Sequence, residues 1–173
     1  VCPRIDAANV EEGSTTDMAG EADVTIATVE ETFHEAVARL PNARVAALHG
    51  RMSAEDKESV MAAVALGGVD VVVSTTVIEV GVDVPDATMM IVFDADRFGI
   101  SQLHQLRGRI GRGSLPGVCL HVSAAEDGTP TRERLDAVAS TRNGFDLAQR
   151  DLEIRREGDV LGGSQSGVRS SLR

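Results

Sequence analysis

Tryptophan and tyrosine are missing from this sequence, and aromatic residues of any kind make up 2% of it. A groove that holds single strands by stacking bases on rings has little to be built from. Cysteine is nearly absent too. Cys2 and Cys119 have no metal-ligand spacing and form no paired framework, so a reduced, intracellular setting is expected. No run of about 18 apolar residues occurs, so no membrane span is expected. No signal-peptide pattern opens the chain. Val1 stands where a methionine would start a protein, which reads as the sign of a piece of something longer.

Positive charge is scarce as well. Seventeen Lys and Arg face 27 Asp and Glu in 173 residues, a formal net charge of -10. On that figure alone a nucleic-acid partner is disfavoured. Nine of the acids fall within residues 1–35, however, against Arg4 alone, and the remainder is close to balanced. Global charge therefore says little about any one face. The acidic stretch, about 6–27, is rich in Gly, Ser and Thr and reads as a solvated loop.

What the chain has is 42% apolar residues, enough for a real core. Val1 to Ile5 fits a short strand. Thr28 and Glu31 fit a capping box opening a helix with Phe33, Val37 and Leu40 on one face, ended by Pro41. Arg44 to Leu48 reads as a strand. Ser53 caps a second helix, with Val60, Met61 and Val64 on one face and Gly67-Gly68 ending it. Val69–Val73 and Thr88–Asp94 are short β-branched or apolar runs suited to buried strands. Leu103, Leu106 and Ile110 mark another helix, and Gly117 to Val122 a strand. Alternation of this kind implies a parallel sheet wrapped in helices, with ligands beyond the carboxyl ends of its strands. Then come helices over Thr131–Arg142 (apolar side Leu135, Val138 and Ala139) and around Phe145, Ala148 and Leu152. Asn143-Gly144 makes the turn between them, and a Gly- and Ser-rich loop follows from Glu157 to Ser171.

The scarce positive charge is concentrated at Arg97, Arg107, Arg109 and Arg112, with no acid between the first and last. If Gln102–Arg112 is one helix, Gln105, Arg109 and Arg112 share a narrow stripe opposite Leu103, Leu106 and Ile110. Gly108 and Gly111 would cost that helix about 1 kcal/mol each and would let another surface come close. Two guanidiniums aimed together suit a phosphoryl group in transit. Spacing alone also allows a solvated basic helix or internal ion pairs. Thr75, Thr76, Gly81 and Asp83 follow a buried strand, where hydroxyls can meet phosphate oxygens; Thr-Thr there is more often a helix cap. His34 and His121 read as surface positions, Cys119 as core and Met89-Met90 as strand packing. Asp94 and Asp96 read as partners of Arg97 or as residues that help shape the cleft.

These segments resemble the superfamily 2 helicases. Gln105-x-x-Gly108-Arg109-x-Gly111-Arg112 resembles their motif VI, Thr75-Thr76 to Pro85 their motif V, and His49-Gly50-Arg51-Met52 their motif IV region. Residues 144–155 and Leu161-Gly-Gly-Ser-Gln165-Ser-Gly167 resemble the translocation motif of the RecG family. The related transcription-repair coupling factors share that tail. One departure stands out: Arg156-Glu157-Gly158 occupies the place of the family's Gly-x-Gly.

The resemblance implies an α/β fold, a RecA-like parallel sheet flanked by helices, then a helical hairpin and loop. Residues 1–125 would be a second motor domain and 126–173 the hairpin and translocation loop, short of a native C-terminus. It implies that Arg109 and Arg112 are arginine fingers and that Gln105, Gly81 and Asp83 line the nucleotide cleft. Thr75, Gly50 and Gln165 would meet DNA, and Arg134 and Arg155 would latch the hairpin to motif VI. The implied cofactor is ATP with Mg²⁺, held mainly by a first motor domain, since no G-x-x-x-x-G-K-[ST] phosphate loop is present. Alone, the chain is expected not to hydrolyse ATP. Implied partners are branched and duplex DNA and the wedge and first motor domains of the same protein, working as a monomer in the bacterial cytoplasm at the nucleoid. The other readings are the same domain of a transcription-repair coupling factor, or a non-catalytic module that keeps the fold and binds nucleic acid or protein.

Overall fold

The computed structural model describes residues 1–6, 27–76, 87–113 and 115–161, with side chains as far as Ile154. The acidic stretch 7–26, the end of the motif V segment and the translocation loop lie outside the described residues.

Two parallel strand pairs form the sheet. β1 (Val45–Leu48) pairs with β2 (Val71–Ser74) in the register Val45 to Val71. β3 (Met89–Val92) pairs with β4 (Val118–His121) in the register Met89 to Val118. The first residues of the chain join the two pairs. Cys2 N donates to Ser74 O (2.7 Å), Val1 N to Ile91 O (2.6 Å), and Phe93 N to Val1 O (3.0 Å). The expected strand over Val1–Ile5 is thus a short pairing between β2 and β3, with parallel bridges from Cys2 to Thr75 and Arg4 to Thr28.

The helices start where local chemistry says they should. α1 (Val29–Arg39) is capped by Thr28, whose hydroxyl accepts from Glu31 N (3.2 Å) and donates to the Glu31 carboxylate (2.8 Å). Thr28→Ala is expected to cost about 1 kcal/mol, read as a lowered midpoint in urea unfolding. α2 (Ala54–Ala65) is capped by Ser53 and ends at Gly67, whose φ of +68° closes the turn. None of its residues is fully buried; Val60, Met61 and Val64 are half-buried. Between α2 and β2, Asp70 takes a forked contact from Arg44 (2.9 and 2.7 Å) that holds its carboxyl well below the usual carboxylate range.

Two apolar clusters flank the sheet. Cys2, Val29 and Val73, with Phe33, Ala36 and Phe93, lie under α1. Val37 and Leu40, expected on that face, stay half-exposed. The larger cluster joins Val92, Ala95 and Phe98 to α3 (Ile100–Arg107), α4 (Pro130–Ser140) and α5 (Gly144–Leu161). Burying side chains such as Leu103, Val138 and Leu147 stabilises the domain by about 1.5–3 kcal/mol each. The hairpin is therefore seated on the core of the sheet rather than hung from it.

Several expectations need correction. α5 buries Leu147 and packs Ile154, while Phe145 and Leu152 are 79% and 58% exposed. It also continues to Leu161, through residues read as loop. On α4 it is Ala137, not Ala139, that joins Leu135 and Val138 in the core. Met89 is mostly exposed rather than packed. No helix among the described residues is long and apolar enough to cross a membrane.

Candidate functional site

The arginine segment is not one helix. α3 begins at Gly99, whose amide donates to Gln102 Oε1 (3.2 Å), and stops at Arg107. Gly108 caps it, Arg109 N reaches back only three residues to Leu106 O (3.0 Å), and Gly111 turns the chain at φ +68°. The physical reason is a backbone crossing. A Cβ on Gly111 would lie 2.7 Å from Gly117 N, and one on Gly117 would lie 2.8 Å from Gly111 N. Gly111 does admit another surface, the chain's own approach to β4, whereas a Cβ on Gly108 would meet only carbonyls of its own helix, Gln105 O at 3.3 Å and His104 O at 3.5 Å. Gln105, Arg109 and Arg112 therefore do not form a helical stripe. Gln105 is exposed on α3, Arg109 is half-buried in the turn that follows, and Arg112 is exposed, its Nε donating to Gly108 O (2.8 Å). Leu103 and Leu106 are buried as the pattern required.

The turn itself lies away from the carboxyl ends of the strands. α3 carries the chain back along the sheet. Gly111 N bonds Ala87 O (3.1 Å), just before β3, and Gly111 crosses Gly117, just before β4. Arg109 and Arg112 thus stand at the amino edge. Gly50 and Thr75, which follow β1 and β2, stand at the carboxyl edge.

At that carboxyl edge, His49 and Met52 close a turn (Met52 N to His49 O, 3.2 Å) that leaves Gly50 exposed. Gly50 O accepts from Lys57 Nζ (3.0 Å), and Arg51 pairs with Asp6. Thr75 is 5% exposed, and its hydroxyl has no partner among the described residues; His49 Nδ1 has none either. An unmet buried hydroxyl costs about 1–3 kcal/mol. Gly81, Asp83 and Gln165 lie outside the described residues, as does the side chain of Arg155.

Asp94 and Asp96 pair with other groups than Arg97. Asp94, in the left-handed region at φ 47°, accepts from Ala27 N (2.8 Å) and so ties the start of α1 to the end of β3. Asp96 accepts from Ser123 Oγ (2.6 Å).

Sequence reasoning missed Arg107. Its guanidinium donates to the carbonyls of Val138 and Thr141 (the latter at 2.8 Å) and meets His104 Nδ1 at 2.9 Å. It is also felt on β4: burial and the nearby Arg107 charge both push His121 below its ordinary value. The signal available in the sequence was a cation three residues after His104, at the end of a helix. The carbonyls it serves belong to a helix 31 and 34 positions away. Arg134, in contrast, donates to Thr131 Oγ1 (3.2 Å) on its own helix.

The helicase conserved C-terminal domain family matches residues 16–114. The ATP-dependent DNA helicase RecG of Mycobacterium bovis is 56% identical over 174 residues, covering 100% of this chain and 23% of that protein. RecG of Mycobacterium leprae is 60% identical over 134 residues, 78% of this chain and 18% of that protein. A solved structure of RecG bound to a three-way DNA junction matches with a TM-score of 0.60 at 38% identity, covering 72% of this chain and 17% of that one. These likenesses bear out the RecA-like α/β fold of parallel strands flanked by helices. The chain spans less than a quarter of the length of the curated relatives it matches.

Proposed function

Because the chain belongs to the helicase conserved C-terminal domain family and resembles RecG along its whole length, we propose that it is the second motor domain of an ATP-dependent DNA helicase that remodels stalled forks and branched DNA. The observation that carries this reading is the arginine-bearing turn braced by the Gly111–Gly117 crossing. Planar guanidinium forks on a rigid backbone suit the dispersed charge of a phosphoryl group in transfer. Arg109 and Arg112 act as the fingers, completing a nucleotide held with Mg²⁺ by a first motor domain, while Gln105, Gly81 and Asp83 line the same cleft. The opposite edge of the sheet serves DNA: Gly50 offers a close backbone approach, and Thr75 has a buried hydroxyl with no partner among the described residues. Gln165, which follows α5 in the sequence, bears on the duplex, and Arg134 and Arg155 latch the hairpin to motif VI.

On this reading the 173-residue chain alone hydrolyses no ATP, since it carries no phosphate loop. The full-length protein hydrolyses ATP when given three-way junction DNA and separates its strands. A phosphate-release assay on both proteins, with and without junction DNA, tests this. Robust turnover by the isolated chain, or none by the full-length protein with DNA, would overturn it.

A further inference from the structure

Arg107 is the last residue of α3, and only Gly108 separates it from Arg109. Its guanidinium spans the gap to the hairpin. Nη1 donates to Val138 O and to Thr141 O (2.8 Å), and Nη2 meets His104 Nδ1 (2.9 Å). The carbonyls at the end of α4 have no amide donors left within their own helix, and a cation there also meets the negative end of the helix dipole. His104 presses on the same joint from the side, since a Cβ on Gly144 would lie 3.1 Å from its Nε2. Among the described residues, the joint's other hydrogen bonds are local: Asn143 N donates to Thr141 Oγ1 (3.1 Å), and Phe145 N to Asn143 Oδ1 (3.0 Å). Among the described residues, the polar side-chain contacts between α3 and the α4–α5 joint therefore converge on Arg107.

We propose that Arg107 is the positioning residue that passes movement of the Arg109–Arg112 turn to the hairpin, an inference that rests on the helicase reading above. A shift of the turn is carried across Gly108 to the end of α3. Because the guanidinium grips main-chain oxygens on both sides of the α4 terminus, the joint moves with it. A lysine at this position offers one compact charge in place of a planar fork, so it serves one carbonyl well and cannot also hold the imidazole in the same plane.

The test uses the full-length helicase containing this chain, with Arg107→Ala and Arg107→Lys. Two quantities are followed on three-way junction DNA: ATP hydrolysed, and strands separated per ATP. A third is amide hydrogen exchange of residues 140–147. Arg107→Ala is expected to keep hydrolysis within about threefold while separation per ATP falls about tenfold or more, the scale of losing charge-assisted hydrogen bonds. Exchange at the joint should quicken by a similar factor, and the Lys variant should lie between. Hydrolysis and separation falling in parallel, or unchanged exchange at the joint, would overturn the proposal. If the wild type neither hydrolyses ATP nor separates strands, the helicase reading fails, and exchange at the joint then decides the latch alone. If the Ala variant does not fold, the Lys variant carries the same comparison.

Discussion

Arg109→Ala, introduced into the full-length helicase, is expected to lower DNA-stimulated ATP turnover by roughly 10³-fold or more, the range seen where an arginine finger is removed. Arg112→Ala should act in the same direction. The argument is electrostatic. As the bond to the leaving oxygen lengthens, the phosphoryl group flattens and negative charge builds on that oxygen. A guanidinium waiting at that spot stabilises the transition state more than the ground state. Turnover should therefore fall far more than nucleotide affinity, and steady-state kinetics paired with nucleotide titration separates the two. Arg109→Lys should restore only part of the loss, because an ammonium cannot match two oxygens in one plane. Both side chains sit beside a turn that packing holds still: Arg109 is half-buried, and Arg112 is tied to the carbonyl of Gly108. Turnover unchanged by either substitution would remove the finger assignment, whatever the fold.

Gly111→Ala is expected to do its damage earlier, in folding. The backbone at Gly111 has φ +68°, and an added Cβ would lie 2.7 Å from Gly117 N and 3.0 Å from Gly117 Cα. The left-handed conformation costs an alanine about 1–2 kcal/mol. The collision adds about 1–3 kcal/mol, since the atom in the way is main chain and can shift only by moving β4. A total of roughly 2–5 kcal/mol is a large share of the 5–15 kcal/mol that holds a typical domain together. Gly67 supplies the internal control. It has the same φ of +68°, and nothing lies within 4 Å of its Cβ position. Gly67→Ala should therefore show the backbone cost alone. Thermal melting of both variants should displace Gly111→Ala several degrees further than Gly67→Ala. Equal shifts would mean that the crossing is not tight.

What could be read from the sequence was what local chemistry decides. Thr28 with Glu31, Ser53 with Asp56, and Gly67 after α2 each act within four residues, and each stands where the pattern put it. The faces of helices were less legible. α5 carries two apolar stripes, one through Phe145, Ala148 and Leu152 and one through Leu147 and Ile154. Only the surface presented by α3 and α4 selects the second. The arginines show the same division. Their concentration was evident from composition, but the break at Gly108 and the turn at Gly111 follow from the distant Gly117. Arg107 looked like one more cation of the group because its acceptors are main-chain oxygens of another helix, which no residue type announces. The order of the sheet was equally hidden, since strand-like runs say nothing about which neighbour they choose.

That order has a consequence for how the protein is made. Val1 bonds Ile91 across 90 positions, and Cys2 bonds Ser74, so the innermost pairing of the sheet joins residues to others that come much later in the chain. At a ribosome adding about 5–20 residues per second, the earlier residues wait several seconds for their neighbours to emerge. Pairing β1 with β2, or β3 with β4, needs a shorter wait, yet neither pair alone gives a continuous sheet. Completion belongs to the slow class of topologies, in which distant segments must be brought together before any contact rewards the search.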